Sequence, residues 1–152
     1  MKRLLVVLVL VVGLALCSCA TMNPASPLPT LLLLPDGVLI VPPDPNLPPE
    51  IKAFSGKWGG TWFHLNMDAV LVIEKIDERQ EATVVYVRGE SQRRGMVERW
   101  FRVKGNFSRN KEGGITLSWI SPRTGLKFEF RVKGDTLEGV SYPHSIIMRR
   151  LQ

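Results

Sequence analysis

The sequence predicts an all-β fold, an eight-stranded antiparallel up-and-down barrel that follows a signal peptide and a proline-rich tether. Three observations carry that prediction. From Ile51 onward apolar and polar residues alternate with a period of two. Clusters of turn-forming residues divide the alternating region into eight segments. Those segments fit into about a hundred residues, which is room for one core.

The amino end comes first. Lys2 and Arg3 precede a run of apolar residues from Leu4 to Leu16. That is the length of a secretory signal core and short for a membrane span. Both cysteines of the chain, Cys17 and Cys19, close the run in LALCSCA. Leu16-Cys17-Ser18-Cys19 resembles a bacterial lipobox, in which the last cysteine is lipidated and becomes the mature amino terminus. The resemblance implies a signal over residues 1–19, lipid attachment at Cys19 and a membrane partner through that anchor. The location it implies is the bacterial cell envelope, facing the periplasm. Cys17 stands where the motif usually has a small or β-branched residue, so it is the rival acceptor. Cleavage after Ala20, between the small residues of an A-x-A-like site, is the other reading and gives a secreted soluble protein. In each case the mature body has no cysteine pair, which excludes a disulfide or a thiolate metal site in the folded domain.

Residues 20–50 are expected to form the tether. They hold nine of the eleven prolines, spaced so that no helix can run through them. Inside the tether, LLLL and VLIV flank Pro35-Asp36-Gly37, a turn signal. The expected arrangement is a short hairpin packed on the body, with a membrane-hugging or partner-binding patch as the alternative.

Residues 51–152 are expected to form the barrel. The segments run over 58–65, 69–76, 82–88, 97–104, 115–120, 126–132, 136–142 and 145–151. LKFEFRV, residues 126–132, is the clearest: Leu126, Phe128, Phe130 and Val132 share one face and Lys127, Glu129 and Arg131 the other. Turns are expected at 77–79, 89–95, 105–114, 122–125, 134–135 and 143–144. The pentapeptide FRVKG occurs at 101–105 and again at 130–134, and each copy is expected to end a strand at a glycine turn.

The first segment opens with GKWGGTW, in which Trp58, Gly60 and Trp62 alternate onto one face. Glycine there permits the close backbone approach and coiling that barrel closure needs. Gly56-Lys57-Trp58, and again Gly60-Thr61-Trp62, resemble the Gly-x-Trp motif that closes one barrel end in the calycin superfamily, the lipocalins and avidins. The chain looks most like the compact lipocalin-like domains of bacterial envelope lipoproteins. The resemblance implies a plug built from Trp58 and Trp62 under an arginine of the last strand, Arg149 or Arg150, in cation–π contact. It also implies a ligand cavity, for which Glu74, Tyr86, Phe101, Trp119, Phe128 and Phe130 are the candidate lining. An eight-stranded barrel can equally be filled by its own side chains.

Catalysis has little support. His64 and His144 are too few for a three-histidine metal site. Neither Ser118 nor Ser145 stands in a nucleophile elbow. The expectation is a non-enzyme with no cofactor and no metal. Arg88, Arg93, Arg94, Arg99 and Arg102 gather around the third and fourth segments. They read as a solvated loop, with attraction of anionic lipid or an acidic partner as the sharper alternative. Nucleic acid is not expected, since its binding would need aromatics interleaved on the same exposed face and an exported protein rarely meets that partner. The function expected is binding of a small apolar or amphiphilic ligand. The alternative is a filled barrel that acts through its surface as an envelope inhibitor or scaffold, on a protein partner the sequence does not name.

Overall fold

The computed structural model describes residues 32–91, 94–111 and 113–152. The expected signal peptide, Cys17, Cys19 and Arg93 lie outside them. Eight strands make one closed antiparallel barrel in sequence order: β1 Gly56–Trp62, β2 Met67–Ile76, β3 Glu81–Arg88, β4 Arg99–Arg109, β5 Ile115–Ile120, β6 Lys127–Lys133, β7 Thr136–Ser141 and β8 His144–Arg150. Each strand pairs with the next, and β1 closes the ring on β8 from Trp58↔Arg150 to Trp62↔Ile146. Closure gives every strand a neighbour on both sides, and β4 pairs with β5 only from Asn106 to Arg109. Gly60 permits the last pairing, because a Cβ there would strike the backbone carbonyl of Ile147.

Alternation sends Trp58 and Trp62 of β1, Leu71 and Ile73 of β2, Val84 and Tyr86 of β3, Leu117 and Trp119 of β5 and Ile146 and Met148 of β8 inward, into one core. The fourth strand differs from the expectation of a turn at Gly105, for it continues to Arg109. Gly105 points inward, and a Cβ would stand 2.8 Å from Leu117 Cδ1. Glycine serves close packing there, and the turn begins only at Asn110, whose side chain accepts from Gly114 N.

A second apolar cluster lies outside the barrel. Val70 and Val72 of β2 and Val85 and Val87 of β3 point outward and are buried under Leu32, Leu34, Val38 and Ile40. Each valine kept from water contributes about 1.5 kcal/mol at the lower end of the usual range. The covering segment turns at Asp36 and Gly37 and makes no strand of its own. Its Val41 N donates to Glu74 O at 2.7 Å. The chain then reaches a one-turn helix, α1 Pro49–Lys52, with proline in its first turn where no amide donor is needed.

Candidate functional site

The two barrel ends are built differently. One is shut. Helix α1 brings Ile51 and Phe54 across the opening, and Phe54 packs edge-on against Phe107 with centroids 5.1 Å apart. Trp58 is fully buried beneath them, and its Nε1 donates to Phe54 O at 2.8 Å. The Arg150 guanidinium lies 4.2 Å from the Trp58 ring centroid and donates to Ser55 O at 2.7 Å and Ala53 O at 2.6 Å. Gly56 has φ +114, and a Cβ there would come within 3.0 Å of Arg150 Nη1. The plug therefore consists of Trp58 and Arg150. Arg149 is not part of it, because β8 alternation turns it outward opposite Gly59 and Thr136.

Trp62 is not part of the plug either. Two inward positions further along β1, it lies at the other end, where its Nε1 donates to Tyr86 Oη at 2.7 Å. Here the connections after β1, β3, β5 and β7 surround a cavity of about 320 Å³. Trp62, Leu65, Met67, Tyr86, Phe101 and Phe128 line its depth. Arg88, Arg94, Arg99 and Arg123 line its mouth, and no carboxylate does among the described residues. Burial pushes the Tyr86 phenol up, against the smaller opposing effects of the Trp62 bond and of Arg88. It stays a neutral hydroxyl at all physiological pH values. Ser141 Oγ and His144 Nδ1 also belong to lining residues and, among the described residues, have no hydrogen-bond partner. Both atoms are themselves buried.

Of the six candidate lining residues, Tyr86, Phe101 and Phe128 face this space. Trp119 and Phe130 do not line it. Trp119 stacks on Phe128 at 5.4 Å and on Phe130 at 5.0 Å, with interplanar angles of 6° and 9°. This column fills the middle of the barrel between the cavity and the plug. Glu74 is on the outer wall. The β2 register slip between Ile73 and Lys75 returns Ile76 to the interior, and with Leu71 and Ile73 pointing in, alternation puts Glu74 outward beside Val70 and Val72. There its carboxylate accepts from Arg102 Nε at 2.7 Å and Nη2 at 3.0 Å. That contact holds the Arg102 pKa above its ordinary value. Arg102 is thus a wall residue and not part of the basic rim.

Several lining residues had no signal in the sequence. Ser141 and His144 belong to the β7–β8 turn, and only the pairing Ser141↔His144 brings them to the mouth. Arg123 comes from a turn, 121–126, that has no marker of function. No family model, curated protein or solved structure compared with this chain matches it.

Proposed function

We propose that the protein is an exported, lipid-anchored, lipocalin-like barrel that carries a small apolar or amphiphilic molecule in the open part of its interior. The observation that supports it is the cavity of about 320 Å³ behind Trp62, Tyr86, Phe101 and Phe128. That volume is at the small end of ligand pockets, which run from about 300 to 1,000 Å³. Aromatic walls suit an apolar body, and Arg94, Arg99 and Arg123 suit a polar end at the mouth. Gly56-Lys57-Trp58 beneath Arg150 supports the lipocalin-like reading. Leu16 to Cys19 supports the anchor and the envelope location.

The test is native mass spectrometry of the protein purified gently from its own host. The expected result is a reproducible added mass that denaturation releases. A bare protein mass would overturn carriage. It would favour the other reading, surface action on a partner protein, which is supported by the stacked Trp119, Phe128 and Phe130 column that already fills the middle of the barrel.

A further inference from the structure

Large exposed apolar side chains are unevenly distributed over the two ends. At the mouth end Phe63 is 77% exposed, Tyr142 87% and Trp100 51%, and Val97, Ile120 and Leu126 are exposed with them. At the plug end, the described residues of the turns 77–80, 110–114 and 134–135 include no exposed large apolar residue. A folded surface gains nothing from aromatics held in water, and such a concentration at one end marks a contact surface.

Two further observations say what it contacts. The same end carries Arg88, Arg94, Arg99 and Arg123 around the mouth, while Glu90 and Glu98 of the neighbouring connection are not among the lining residues. Aromatic rings beside arginines fit the boundary between acyl chains and anionic headgroups. The second observation is the path of the chain. Leu32 Cδ2 lies 3.2 Å from the position a Cβ on Gly89 would take, at the mouth end of β3. From Leu32 the covering segment runs along the wall toward the plug, reaching Glu74 at Val41. The described chain therefore enters from the mouth side, and Cys19, the proposed acylation site, precedes Leu32 by only thirteen residues.

We propose that the open end of the barrel docks on an anionic lipid bilayer, with Phe63, Trp100 and Tyr142 in the interface and the mouth arginines against the headgroups. The cavity then opens onto the membrane. The docking itself does not depend on cargo, since Phe63 and Tyr142 do not line the cavity.

The test uses residues 32–152, which hold the complete closed sheet, the plug and the covering segment but not the apolar signal. Binding is measured by flotation with vesicles of equal parts phosphatidylglycerol and phosphatidylcholine. Wild type is expected to bind these and to bind pure phosphatidylcholine at least about tenfold more weakly, with binding that falls as salt rises. The double variant Phe63→Ser/Tyr142→Ser is expected to lose at least about tenfold in binding. Leu39→Ser, 70% exposed on the covering segment, is expected to lose nothing. Thermal denaturation checks the fold, and Tyr142→Ser alone serves if the double variant unfolds. Absence of vesicle binding, or equal loss in Leu39→Ser, would overturn the proposal. So would a soluble dimer that Tyr142→Ser dissociates, because the surface would then belong to a second copy of the chain. Cargo in the mass spectrum without vesicle binding would leave carriage standing and remove docking alone.

Discussion

Strand β1 carries two copies of one tripeptide pattern, Gly56-Lys57-Trp58 and Gly60-Thr61-Trp62, whose tryptophans are about 13 Å apart along the strand. Both indoles are buried and both donate a hydrogen bond. Their surroundings differ. Trp58 meets a helix, a backbone carbonyl and Arg150, and the end of the barrel is shut. Trp62 meets Tyr86 and Phe128 and then open space. The local motif buries a ring in either place, and what arrives from elsewhere in the chain decides whether that ring is a plug or the wall of a pocket.

Substitutions at the two ends should differ in size of effect. The largest effect is expected from Trp58→Ala, about 3–5 kcal/mol of lost stability in denaturant unfolding, since no neighbour can move to fill the plug. An unchanged midpoint would mean that α1 does not seal that end. Tyr86→Phe is expected to cost about 1–3 kcal/mol, because it leaves the buried Trp62 N–H without its acceptor. Cargo binding should weaken with it, and loss of stability without any effect on binding would separate Trp62 from the pocket. The smallest effect is at the plug-end turn. Asp77 accepts from Arg79 N and Glu81 N, each at 2.9 Å, and the Glu81 amide is the main cause that lowers its pKa below the ordinary 3.8. Because the folded pKa is the lower one, the stabilisation is present above the ordinary value and is lost as pH falls through the folded one. A carboxyl titration by NMR should place Asp77 below 3.8 and show no comparable shift in Asp77→Asn, which has no carboxyl there to titrate.

Period-two alternation made the barrel legible, because a closed sheet repeats the same inward and outward demand on every strand. Parity also separates Arg150 from Arg149, once Ile146 and Met148 are known to face inward. Where backbone irregularity intervenes, parity fails. Nothing in MDAVLVIEKI announces the slip that returns Ile76 to the interior, and the face that Glu74 shares with Val70 and Val72 is apolar because the covering segment buries it from outside. The two FRVKG copies show the same limit. Phe101 and Phe130 face inward in both, yet Gly105 lies inside a strand against Leu117 and Gly134 turns the chain at φ +60. The pentapeptide fixes which face is apolar, while the length of the following strand is set by its partners. The cavity was least legible of all, since Arg94, Arg123, Ser141 and His144 are brought together by three separate connections.

Carriage by this barrel requires the binding site to be at the mouth end, behind Trp62. The direct measurement is a fluorescence titration of residues 32–152 with anilinonaphthalene sulfonate, an anionic amphiphile, against the variant Ser141→Phe. Ser141 is buried in the cavity lining, and a benzyl group there occupies the space a ligand would use. One molecule should bind per barrel, and Ser141→Phe, with its melting temperature retained, should weaken it by at least about tenfold, roughly 1.4 kcal/mol. Equal affinity in the folded variant would contradict the account, because the bound molecule would then lie somewhere other than behind Trp62.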